Sequence, residues 1–123
     1  MWLFTRDGYF SVVKDEFCGP DEVMVRARCR QDLESLLSRL GLDLEILTIK
    51  QADYRWRVKM PHEVFTEYVR MMAATLDYAD FKSAAPAHDD FSRLRAYHKC
   101  WDALRQWQDK NEKNGGPEVK GKT

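Results

Sequence analysis

From Asp53 to Met60 the chain alternates without a break. Tyr54, Trp56, Val58 and Met60 fall on one side, and Arg55, Arg57 and Lys59 on the other. A period of two predicts a β-strand with one buried face. Val23 to Arg28 repeats the pattern, with Val23, Val25 and Ala27 set against Met24, Arg26 and Arg28. If the two strands are neighbours, one sheet face is apolar and the other carries the cations. Near the start, Trp2–Thr5 and Tyr9–Lys14 flank Arg6-Asp7-Gly8. Asp-Gly between apolar runs predicts a hairpin, with one longer strand bulged at Gly8 as the alternative. Gly19-Pro20 marks the loop that precedes the strand from Glu22.

The period then changes. Leu33, Leu36, Leu37 and Leu40 lie three and four apart, one face of a helix over Gln31–Leu40 that Gly41 stops. Leu44–Lys50 reads as a strand, and Gln51-Ala52-Asp53 as the turn into the strand described first. Pro61 suits the first turn of a second helix, with Phe65, Tyr68, Val69, Met72 and Leu76 on its inner face. Asp80–Ser83 is predicted as a short last strand. A final helix is expected from near Asp89, two acids favouring its N-terminal end, with the stripe Phe91, Leu94, Tyr97, Trp101, Leu104 and Trp107.

Between Glu22 and Ser83 the order is β-α-β-β-α-β, which predicts an α+β, ferredoxin-like sandwich with an added N-terminal β segment and a C-terminal helix. In that topology Val23–Arg28 and Tyr54–Met60 are the central neighbours. The expected organisation is a single domain over residues 1–108 and a disordered polar tail over 109–123, where Lys, Asn, Gly and Glu dominate.

Composition narrows the chemistry. Twenty basic and twenty acidic residues give a net charge of zero, so any electrostatic function needs local segregation. Cys18, Cys29 and Cys100 are odd in number and far apart, which argues against a disulfide framework and for a reducing cytosol. Trp2, Leu3 and Phe4 are too few for a signal segment, and no apolar run approaches a membrane span, so a cytoplasmic location is expected. No Gly-rich phosphate loop occurs, and His62 and His88 lack a ligand-spaced partner; neither a cofactor nor a metal site is expected.

Arg26, Arg28, Arg55, Arg57 and Lys59 are thus the candidate site. Like charges directly across a strand pair cost about 0.2–1 kcal/mol each, so something should offset them. Three readings follow. Converging guanidinium groups grip phosphate, which suits a nucleotide or a nucleic-acid backbone. Alternatively the last helix folds over the face and pairs Asp89, Asp90 and Asp102 with the arginines. Or the cations simply lie in solvent. Sheets that recognise RNA carry exposed aromatics on the central strands. Here Tyr54 and Trp56 alternate onto the core side, so phosphate contact rather than base stacking is expected.

Two further residues carry candidate chemistry. Lys82 adds a cation if Asp80–Ser83 is an edge strand, where Lys also serves to block sheet extension. His98 lies four residues before Asp102, a spacing that lets a carboxylate orient an imidazole as a general base, or simply forms a surface ion pair.

Met1-Trp2-Leu3-Phe4-Thr5 with Tyr9-Phe10-Ser11-Val12-Val13, Val25-Arg26-Ala27-Arg28 with Asp32-Leu33, Asp53-Tyr54, Phe81-Lys82-Ser83, and Tyr97-His98 with Trp101 together resemble a family of short, uncharacterised proteins of bacterial and phage genomes. The likeness spans about Met1 to Trp107. It implies a single cytosolic domain and carries over no catalytic residue, and a phage setting suggests a defence-related role, with a nucleotide signal or a host protein as partner.

The primary expectation is a non-enzymatic module that binds a phosphorylated ligand. One alternative is a small enzyme on a phosphorylated substrate with His98 as base. The other is a protein-interaction module that dimerises through a sheet edge or the Trp101/Trp107 stripe, and a homodimer by the open sheet face is compatible with every reading.

Overall fold

A computed structural model describes residues 1–86 and 91–114. The chain forms two compact units, Met1–Pro86 and Ala87–Thr123. The first is an α+β unit built on one antiparallel sheet. Its strands are β1 (Trp2–Thr5), β2 (Gly8–Val13), β3 (Glu22–Ala27), β4 (Leu47–Thr48) and β5 (Trp56–Pro61). Helix α1 spans Arg30–Leu40 and α2 spans His62–Ala74. Across the sheet the order is β1-β2-β3-β5-β4.

The two alternating strands are neighbours, as their patterns require. Val25 stands opposite Val12 on β2 and Val58 on β5; Ala27 stands between Phe10 and Trp56; Val23 faces Met60. This face carries the core. Leu33, Leu36 and Leu37 of α1 and Phe65 and Tyr68 of α2 pack on it, all buried. Each such side chain contributes roughly 1.5–3 kcal/mol of transfer free energy. Gly41 ends α1 at φ 67°, where a side chain would be strained. Its N–H bonds the Ser38 carbonyl and that of Leu42 the Leu37 carbonyl, the paired C-terminal closure that a left-handed residue permits. At the other helix, the His62 N–H donates to the Asp21 carbonyl at 2.7 Å and ties the start of α2 to the base of β3.

The first two strands form the expected hairpin, and its turn is fastened to both helices. The Asp7 carboxylate is buried and takes two hydrogen bonds from Arg39 of α1, both at 2.7 Å, and one from the Tyr68 hydroxyl of α2 at 2.8 Å. Thr5 Oγ1 lies 2.8 Å from the Tyr68 oxygen and accepts the Asp7 N–H. Asp32, also buried, accepts the Tyr9 N–H at 3.1 Å. Gly8 has φ +148°, and a Cβ there would lie 2.2 Å from Asp32 Cγ, so only glycine lets the hairpin close onto α1.

Three expectations need correction. Asp80–Ser83 is not a strand. Phe81–Ser83 is a turn of 3-10 helix, capped by the Asp80 carboxylate on the Ser83 N–H at 3.0 Å. An Asx cap competes with extended backbone, and here it prevails. Lys82 is therefore not an edge-strand cation, and the place beside β3 is filled by β2. The Leu44–Lys50 strand shrinks to Leu47–Thr48, although the Ile49 N–H still bonds the Arg55 carbonyl at 2.8 Å. And β5 begins at Trp56, so Asp53-Tyr54 belongs to the connection before it.

The second unit contains α3, Ser92–Asn114, which continues past Asp109, where the polar tail was expected to begin. Phe91, Trp101, Leu104 and Trp107 are exposed. The expected helix start at Asp89 and Asp90, His88, and residues 115–123 of the expected tail lie outside the described residues. Among the described residues no helix is long and apolar enough to cross a membrane.

Candidate anion site on the open sheet face

The sheet face opposite the helices follows from the register. Trp2, Ser11, Arg26, Arg57 and Leu47 form one cross-strand row, and Val13, Met24 and Lys59 the next. Arg26 and Arg57 are thus directly opposite each other, the repulsive arrangement anticipated from sequence. The structure shows what offsets it.

Tyr54 is the correction that matters most for the site. It does not share the core face of Trp56, Val58 and Met60. It is buried, but on the open face, where its hydroxyl lies 3.0 Å from that of Tyr9. Period-two alternation holds only within a strand, and Tyr54 lies before β5 begins. The guanidinium carbon of Arg26 sits 4.7 Å from the centre of the Tyr54 ring and that of Arg28 sits 4.1 Å from it, both within cation–π range. One aromatic ring therefore orients two of the five cations.

The remaining contacts fix the cluster. Arg26 donates through Nη2 to Ser11 Oγ at 2.6 Å. Arg28 donates to the Asp53 carbonyl at 2.9 Å. Arg57 donates through Nε to the Tyr54 carbonyl at 3.1 Å, and its Nη2 lies 3.5 Å from the Asp53 carboxylate. Lys59 reaches the Phe17 carbonyl at 3.4 Å. Arg55 is exposed, and its side chain makes no hydrogen bond or ion pair among the described residues. Most of these acceptors are neutral: carbonyls, a hydroxyl and a ring. Asp53 is the single carboxylate ion-paired to the five cations among the described residues.

The local field acts on Tyr54 itself. Burial pushes its phenol up, but hydrogen bonds with Tyr9 and Ser11 and the charge of Arg28 together outweigh burial and hold it below the usual tyrosine value. Tyr68, in the hairpin-turn cluster, shows the opposite balance. Burial comes first and drives its phenol far above the usual value, and the Asp7 charge adds to the rise. Arg39 is held up chiefly by its hydrogen bond to Asp7, which burial only partly opposes.

Of the other candidates, Lys82 belongs to the 3-10 turn and His98 to the second unit. His98 stacks on Trp101 within α3, ring centres 5.5 Å apart and planes at 20°. Asp102, the carboxylate suggested to orient it, accepts a hydrogen bond from Gln106 at 2.9 Å. Among the described residues no group of three His, Cys, Asp or Glu side chains is placed to hold a metal ion.

Sequence reasoning missed Ser11, Asp53 and Tyr54 as parts of the face. The requirement that adjacent arginines be offset was the available signal, and Ser11 and Asp53 answer it. In comparisons with known proteins no family model matches the chain, and neither a curated protein nor a solved structure does.

Proposed function

We propose that the protein is a non-enzymatic binding module. Its open sheet face would take a phosphorylated ligand, a nucleotide or a nucleic-acid backbone, through Arg26, Arg28, Arg55, Arg57 and Lys59. The observation that supports this reading is the imbalance of charge. Arg26, Arg28, Arg57 and Lys59 share one face, with Arg55 exposed just before β5, and among the described residues a single, largely exposed carboxylate pairs with one of them, at 3.5 Å. Neutral carbonyls, a hydroxyl and an aromatic ring orient guanidinium groups without neutralising them. A phosphate supplies the missing charge and accepts from planar guanidinium forks.

Tyr54 supports the cations rather than offering a surface for base stacking, because it is buried beneath them. Phosphate is thus the group recognised. With no net charge on the chain, affinity comes from this cluster and not from a global field. The same proposal places the protein in the cytoplasm, in keeping with its likeness to short bacterial and phage proteins. It also takes β3-α1-β4-β5-α2 as a ferredoxin-like unit whose closing strand is supplied by β2, since β2 lies on the side of β3 away from β5.

Fluorescence anisotropy with a labelled nucleoside triphosphate and a labelled single-stranded oligonucleotide tests the reading. Arg28→Ala and Arg57→Ala are each expected to weaken binding by about tenfold, the effect of losing one charge-assisted contact. Oligonucleotide affinity should fall steeply with added salt. Binding that survives both substitutions unchanged overturns the proposal, as does failure of the wild-type chain to bind either probe.

A further inference from the structure

Asp53 holds the position that a ligand oxygen would take. Its Oδ1 accepts the Tyr54 N–H at 2.8 Å and lies 3.5 Å from Arg57 Nη2. A backbone N–H and a guanidinium converging on one oxygen are the donors of an anion site. Just behind the carboxylate, the Asp53 and Tyr54 carbonyls occupy donors of Arg28 and Arg57. The two partners differ sharply in exposure: the Arg57 side chain is 15% exposed and that of Asp53 68%. The carboxylate can therefore turn into solvent without uncovering core, while the guanidinium stays where the sheet holds it.

We infer that Asp53 is an internal occupant of the anion site, a carboxylate that a phosphate must displace from Arg57. This rests on the anion-binding reading above and adds its regulation. The occupant sets a threshold: weakly charged anions compete poorly with a tethered carboxylate, whereas a ligand with several negative oxygens gains more from Arg28, Arg57 and Arg26 than the contact with Asp53 is worth. The pairing is partly exposed and long, so the threshold is low. The same contact lowers the repulsion between Arg26 and Arg57 when no ligand is bound.

Isothermal titration with inorganic pyrophosphate tests this in four chains: wild type, Asp53→Asn, Arg57→Ala and the double variant. Asparagine keeps an oxygen for the Tyr54 N–H and removes only the charge, and Asp53→Ser serves as a second variant if the first melts early. Asp53→Asn is expected to bind pyrophosphate about fivefold more tightly than wild type, since a competing charge within contact distance of the ligand has gone. In the Arg57→Ala background the gain should vanish, because the occupied donor is absent.

Equal or weaker binding by Asp53→Asn, with Arg28→Ala still disruptive, overturns the occupant and leaves the anion site standing. A gain that persists undiminished without Arg57 also overturns it, since it then reflects only a change of general field. If neither wild type nor Asp53→Asn binds, the occupant and the anion site fall together. Binding by Asp53→Asn alone supports the occupant in its strongest form.

Discussion

Two polar clusters flank the same sheet, and they handle charge in opposite ways. At the hairpin turn, one buried carboxylate meets one guanidinium and the Tyr68 hydroxyl, and the Thr5 hydroxyl in turn bonds that of Tyr68 and accepts the Asp7 N–H. Cation and anion are matched one to one. On the open face, Arg26, Arg28 and Arg57 converge on Tyr54 and its neighbours, with one exposed carboxylate between them. The first arrangement is complete without anything added. The second is geometrically fixed and electrostatically unfinished. A matched pair with a buried carboxylate is complete as structure; an unmatched and ordered set of cations is what the proposed anion site rests on.

The contrast can be broken most forcefully at the turn. Asp7→Ala takes the acceptor from the partly exposed Arg39 guanidinium and leaves the buried Tyr68 hydroxyl only Thr5, and should cost about 2 kcal/mol of unfolding free energy, measured by urea denaturation. No comparable loss is expected on the open face, where Asp53→Ala removes a pair worth at most about 1 kcal/mol. Equal losses at both positions would erase the distinction.

Alkaline pH gives the next largest effect. Tyr68 ionises far later in the folded chain than in the unfolded one. Its contribution is therefore fully present below the unfolded value and is lost as the pH climbs above about 10, by up to about 1.4 kcal/mol per pH unit. Tyr54 has the opposite sign, because its folded value is lowered: what it contributes is present above the unfolded value and lost as the pH falls through the folded one. Melting curves of wild type and Tyr68→Phe across this range should show the alkaline loss in the first and a shallower one in the second. An identical slope in both would mean that Tyr68 titrates as an ordinary exposed phenol.

A smaller effect sharpens the role of Tyr54. Tyr54→Phe keeps the ring beneath Arg26 and Arg28 and removes the hydroxyl that bonds Tyr9, so it should lower stability by about 1 kcal/mol and leave anion affinity within about twofold. Tyr54→Ala, which removes the support as well, should weaken affinity in addition to the stability lost with a buried ring. Loss of affinity already in Tyr54→Phe would show that the hydroxyl touches the ligand.

Sequence pattern carried much of the fold. The two strands of period two are adjacent and share one apolar face, the Asp-Gly hairpin is present, and Gly41 ends α1. Each depended on local chemistry or on burial of one face, which a single sequence displays. Asp80–Ser83 misled because its side-chain cap outweighs a weak extended preference. The site was legible in part. Arg26, Arg57 and Lys59 on the open face followed from alternation, and the need to offset Arg26 against Arg57 followed from the pairing. What sets their geometry did not. Tyr54 reaches the open face from a connection, where no periodicity applies, and Asp7, Arg39 and Tyr68 meet across 61 residues or less only once three elements have packed. Neither kind of contact leaves a spacing in the chain.

Side-chain NMR of the arginine Nε–Hε groups, recorded while inorganic pyrophosphate is added, compares the two clusters in one sample. The signals of Arg28 and Arg57 should move and saturate together, and that of Arg39, already held by Asp7, should stay in place. Movement of Arg39 with Arg28 and Arg57 still, or no movement at any arginine, would contradict the assignment of the open face as the anion site.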